Sequence, residues 1–291
     1  GFEETTPFVD EVSFVIEASL RFEHERAKEE GEAYEGAWIT PTRIALEQWR
    51  PAEGQSTRAT LRFNLAARLC AFGWVQNRPG YVKEGLDLYA AAATDAAAAG
   101  SDERRLRAKS LHNYALALLA WARALGVAED FQAVAEAAQD AAKEWERTKS
   151  TGLCGYAHFM HGSALLELTR RTGELDLLEV AATAFAESAK QSRVAGDVSS
   201  AGKADHNRGF ALFELAKRSG DVARFRTAAD AFDEASHRCA DDPAGAAQAC
   251  HERAVVLLSL ARLTGQAEDF ESSAAAFAES AVHYRSAGDL R

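Results

Sequence analysis

The chain has 291 residues, 47% of them hydrophobic, and a formal net charge of −11. Affinity for nucleic acid comes mainly from clustered lysine and arginine, so this acidic balance points away from nucleic acid and toward a peptide, protein or small-molecule partner. No run of about 18 consecutive apolar residues is present, which excludes a membrane-spanning helix; no signal-peptide pattern follows the first residue, and a cytoplasmic location is expected.

The first predicted element runs from Pro7 to about Glu30 and is amphipathic, with Phe8, Val12, Val15, Ile16 and Leu20 on one side. A second short helix is expected to start at Thr40-Pro41, a cap residue followed by proline at the first helical position. Tyr34, Trp38 and Trp49 lie around it. These 57 residues read as a divergent helical cap that closes a stack with aromatic bulk, or alternatively as an aromatic ligand pocket.

Residues 58–291 read as about five repeats. Gly80, Gly126, Gly173, Gly220 and Gly265 follow one another at 46, 47, 47 and 45 residues, a period that marks stacked helical hairpins. The segments 113–119, 207–213 and 252–258 align without gaps ahead of their glycines. In each repeat a first helix is expected to end at the glycine, which adopts the left-handed conformation without steric cost. In the fourth, the first helix covers about 201–218, with Ala211, Leu212 and Leu215 on its buried stripe, and Asp221 caps the second.

The second helices carry Phe131, Val134, Ala135 and Ala138, then Leu178, Ala181, Ala182 and Phe185. Phe225, Ala228, Ala229, Phe232 and Ala235 follow in the fourth repeat, and Phe270, Ala274 and Phe277 in the fifth. Spacing by three or four places each set on one face, and these phenylalanines are expected in the core. The segments 185–197 and 277–289 echo each other across two periods. The last hairpin is therefore expected to end uncapped, to continue in a longer parent chain, or to meet a second copy. The predicted class is all-α, a right-handed superhelical solenoid of antiparallel hairpins.

Four cysteines occur. Cys70 and Cys154 fall in apolar helix patterns and read as small buried hydrophobes. Cys239 and Cys250 flank the loop before Pro243; a disulfide between them would close a short loop in oxidising surroundings, the alternative being two reduced thiols.

The stretch from Asn207 to Ala235, with Gly209 and Gly220-Asp221 inside it, resembles the tetratricopeptide repeat. The longer interval, with Arg171-Thr172-Gly173-Glu174-Leu175-Asp176 and Leu263-Thr264-Gly265-Gln266-Ala267-Glu268-Asp269, is similar to the extended variety found beside caspase-like (CHAT) protease or signalling domains. The likeness covers about residues 58–291. It implies a scaffold whose first helices line a concave groove for a peptide or protein segment. The groove positions it implies are Lys109, His112, Leu116 and Leu119; Tyr156, Phe159, Ser163 and Leu166; Lys203, His206, Phe210 and Phe213; and Gln248, His251, Val255 and Leu258. Lys109, His112, Tyr156, Phe159, Lys203, His206, Phe210 and His251 are the candidate partner-binding residues. The set with which some members clamp a peptide carboxylate is not reproduced, so that ligand is not expected.

His158 and His161 lie three apart on one helix face, the spacing of a metal half-site that His112 or His206 would have to complete. The alternative is a row of hydrogen-bonding or partner-contacting groups. His237, Cys239, Cys250 and His251 offer a second zinc-like set, without the usual Cys-x-x-Cys spacing. Nucleophile-elbow, phosphate-loop and dinucleotide motifs are all absent. A non-enzymatic scaffold with no cofactor is therefore expected; the alternatives are a regulatory region holding an effector domain in cis, and a metal-dependent enzyme using the histidines.

Overall fold

The computed structural model describes residues 18–239 and 242–288. Of the predicted apolar face, Phe8, Val12, Val15 and Ile16 lie outside these residues, as do the side chain of Leu20 and the end of the echo at Asp289. Among the described residues all regular structure is helical. Helix α1 (Ala18–Glu30) is followed by a π-helical turn (Glu35–Ile39), α2 (Thr40–Gln48), α3 (Gln55–Val75), α4 (Pro79–Ala99) and α5 (Arg104–Leu125). Then come α6 (Ala128–Arg147), α7 (Thr151–Thr172), α8 (Asp176–Val194), α9 (Val198–Ser219), α10 (Val222–Arg238), α11 (Pro243–Thr264) and α12 (Ala267–Ser286). They form two compact units, one ending at Gly126 and one starting at Val127. Within each unit a helix packs mainly on its neighbours in the chain.

The glycine period has a physical cause. Gly126, Gly173, Gly220 and Gly265 have φ of 73°, 77°, 66° and 69°, and each donates its N–H to a carbonyl four residues back. That left-handed stop satisfies a carbonyl the helix would otherwise orphan. Gly80 breaks the expected pattern, because it lies inside α4. In that repeat the left-handed residue is Asn77, with φ of 51°, and Arg78 donates to the Gly73 carbonyl at 2.7 Å. Asparagine is one of the few residues that tolerate this conformation. Asp221 caps α10 as expected, accepting from Ala223 N at 2.8 Å, and Asp197 and Asp242 do the same for α9 and α11.

In the first unit, Tyr34, Ile39, Leu65, Leu69 and Phe72 form the centre of a core. Tyr34 is wholly buried, stacks on Phe72 and donates its hydroxyl to Glu23. Trp38 donates to Glu30 at 2.8 Å beneath the Arg26 guanidinium, and Trp49 donates to the Gly54 carbonyl under Arg58. These rings pack and hydrogen-bond within the unit. Asp95, almost buried, is held by Arg58 and Arg62 at 2.5 and 2.7 Å.

In the second unit, Phe213, Phe225, Ala228, Phe232, Val256 and Leu260 pack together. Phe131, Phe185 and Phe232 are fully buried, as their helical spacing predicts. The fifth hairpin departs from the expectation: Phe270 is 43% exposed and Ala274 is exposed, while Ser273, Ala276 and Ser280 are buried. Ser273 and Ser280 donate to the carbonyls of Ala254 and Ala247, which turns the inward row of α12 toward small polar residues.

Candidate functional site

The first helices of the second unit are α7, α9 and α11. Each presents a ring that meets a ring on its second helix 26 residues later: Phe159 on Phe185 at 5.5 Å, His206 on Phe232 at 5.2 Å, and His251 on Phe277 at 5.6 Å, all edge-to-face. Phe63 and Tyr89 repeat the arrangement in the first unit at 5.7 Å. The edge of one ring meets the negative face of the other, which is the favoured geometry. The histidine column is thus first a packing device.

Close approach is built in as well. A β-carbon on Gly162 would lie 2.9 Å from the Phe185 ring, and one on Gly209 would lie 2.9 Å from Phe232. Both glycines sit on first helices, three residues after the ring-bearing position. They let the second-helix phenylalanine lie against bare backbone.

The predicted partner-binding residues fall into different environments. Tyr156, Phe159, Lys203, His206 and Phe210 are half-buried on α7 and α9, which touch one another, and His251 is exposed on α11. Tyr156 stacks on Phe159 at 6.5 Å, and His206 lies 5.4 Å from Phe210. In the first unit Lys109 is half-buried, but His112 is only 2% exposed, and Leu116 and Leu119 are buried with it. His112 therefore does not present its ring to a partner. Burial pushes His112 and His206 down to about 4, so both are neutral near pH 7. His206 is half-buried, with its ring 5.4 Å from Phe210 and 5.2 Å from Phe232.

The histidine metal site is not assembled. His161 is buried and donates from Nδ1 to the Ala135 carbonyl at 2.8 Å, and His158 is lowered by burial. The second set scatters too: His237 Nδ1 meets the Asp233 carbonyl, Cys239 lies against Gly202, and His251 rests on Phe277. Cys239 and Cys250 are free thiols, Cys239 half-buried and Cys250 buried, so the pair forms no disulfide. Cys70 and Cys154 are buried as expected, and burial pushes them up to about 12 and about 11. Among the described residues one group of three potential metal ligands does converge, Cys250, Glu279 and His283, and sequence reasoning missed it.

A buried ion-pair cluster marks the fourth hairpin. Asp205, at 0% exposure, receives Arg238 and also faces Arg208 and Arg193 at 3.4 and 3.5 Å. Burial raises its carboxyl against the pull of those arginines. The cluster ties α8, α9 and α10 together.

No helix among the described residues is long and apolar enough to cross a membrane. No protein-family description and no curated protein matches the chain. Among solved structures, BtubC (BKLC) from P. vanneervenii is similar over 87% of this chain and 92% of its own, with a TM-score of 0.53 and 14% identity. The designed helical repeat protein DHR64 is similar over 65% of this chain and 98% of its own, at 0.37 and 19%. A circular tandem repeat protein is similar over 96% and 74%, at 0.36 and 15%. The chain is a helical-repeat protein.

Proposed function

We propose that the chain is a non-enzymatic scaffold, an extended tetratricopeptide-like repeat protein that holds a peptide or protein segment against the first-helix face of its second unit. The observation that carries the reading is the half-buried row of Tyr156, Phe159, Lys203, His206 and Phe210 on two touching helices. Aromatic rings that are partly covered by their own fold are held in fixed rotamers, so a partner packs on them at little further entropic cost. Lys203 adds a cation within an acidic molecule and favours a partner with carboxylates.

The test is affinity capture from the native host with the wild-type chain and a Tyr156→Ala/Lys203→Glu double variant, both checked for unchanged helicity. The wild type is expected to retain a partner that protects amides of α7 and α9 from hydrogen exchange, and the variant to bind it at least about tenfold more weakly. Equal capture by both proteins would remove the assignment of this face.

A further inference from the structure

The fifth hairpin gathers a sulfur, a nitrogen and an oxygen ligand at one place. Cys250 on α11 is buried, Glu279 and His283 on α12 are half-buried, and one ligand atom from each lies within 4.8 Å of the others. Glu279 and His283 are four residues apart, so they share a helix face. The register that sets them opposite Cys250 is fixed by two buried hydroxyls: Ser280 donates to Ala247 O at 3.0 Å and Ser273 to Ala254 O at 2.9 Å, on either side of Cys250 along α11. The ligands are thus held by a stapled pair of helices.

The neighbouring hairpin shows what this position is built to hold. Forty-five residues earlier, the equivalents of Cys250, Glu279 and His283 are Asp205, Glu234 and Arg238. There, the Arg238 guanidinium bonds both Asp205 and Glu234, so the chain itself supplies a cation between two acidic groups. Arg208 faces the same two carboxylates, and its equivalent Arg253 persists in the fifth hairpin. What changes is the central cation: Arg238 is replaced by His283, a metal ligand, and Asp205 by Cys250, another.

We propose that Cys250, Glu279 and His283 form a site for a divalent transition-metal ion of the zinc class, with a fourth position open to water or a partner's side chain. A thiolate with an imidazole and a carboxylate suits zinc, whereas magnesium and calcium require oxygen ligands throughout. Ligand atoms bound to one zinc at about 2.0 to 2.3 Å lie within about 4.6 Å of one another, a spacing compatible with ligand atoms that already lie within 4.8 Å of one another. On binding, the Cys250 S–H bond breaks, a sulfur–metal bond forms and the proton leaves to solvent; the thiolate and the Glu279 carboxylate then offset the charge of the ion. Glu279 gives up a 3.3 Å contact with Arg253, which keeps Asp233 at 2.7 Å, so no cation is stranded.

The test uses the full chain, reduced and stripped of metal, titrated with cobalt(II) and then zinc(II). A near-ultraviolet sulfur-to-cobalt charge-transfer band is expected to saturate at one equivalent and to vanish when zinc displaces the cobalt. Cys250→Ser should abolish the band, and Cys239→Ser should leave it intact. His283→Gln, checked for unchanged helicity, should weaken zinc by at least the roughly tenfold seen when even an outer partner of a ligand is lost. No band in the wild type, a band surviving Cys250→Ser or lost with Cys239→Ser, or wild-type zinc affinity in His283→Gln would each overturn the site.

Discussion

A histidine that rests edge-on against a buried phenylalanine can be replaced by phenylalanine only if its polarity is not used in the fold. At His206 the neighbouring repeat has already made that exchange, since Phe159 sits on Phe185 much as His206 sits on Phe232. The imidazole is held at about 4, below its ordinary 6.5, because burial penalises the cation. A histidine depressed in this way takes up its proton more readily once the chain unfolds, so stability is full above about pH 6.5 and falls as pH drops toward 4. A tenfold difference in proton affinity between the folded and unfolded chain corresponds to about 1.4 kcal/mol, so His206 contributes at most about 3 kcal/mol to that loss, reduced by its partial exposure. His112 titrates in the same window and for the same reason. His206→Phe is expected to unfold in denaturant at pH 7 no more easily than the wild type and to lose less stability between pH 6.5 and 4. An unchanged pH slope would mean that the ring is open to water in solution.

At the scale of the helix, the decisive contact is a phenylalanine ring against a glycine. Gly209→Ala would gain up to about 1 kcal/mol from helix propensity. The new methyl, however, would sit 2.9 Å from three atoms of the Phe232 ring, which His206 and Phe210 box in. Overpacking of this kind costs about 1 to 3 kcal/mol, so the net effect is expected to be destabilising, by up to about 2 kcal/mol; a midpoint that rises in urea would show that the ring relaxes freely. The helices were largely legible in the sequence because their stops are chemical: a left-handed residue needs glycine, and four of the five expected glycines take that role. Gly80 misled because Asn77 does the same work three residues earlier. The first-helix positions were legible as a register but not as an exposure. The same column is buried at His112, half-covered at His206 and open at His251, according to what packs beside each helix. Cys250, Glu279 and His283 escaped notice because their meeting depends on how α12 slides along α11, which two serines decide; the available signal was the comparison with Asp205, Glu234 and Arg238 one repeat earlier.

For the molecule as a whole, contacts that are local in sequence make stability close to a sum of hairpin terms and interfaces between neighbours. Helix α9 touches α8 and α10 most, and Asp205 draws Arg193, Arg208 and Arg238 from these three helices to one buried carboxylate. A lesion at the centre of this group should therefore be felt by its neighbours before it is felt elsewhere. Phe232→Ala removes a fully buried ring, at a cost of about 3 to 5 kcal/mol. Hydrogen exchange under native conditions is expected to quicken most in α9 and α10, less in α8 and α11, and least in α3 and α4, whose core is formed by Tyr34, Leu65, Leu69 and Phe72. A uniform rise from α3 to α12 would instead mean that the chain unfolds as one cooperative body, and that the interfaces between hairpins outweigh the hairpins themselves.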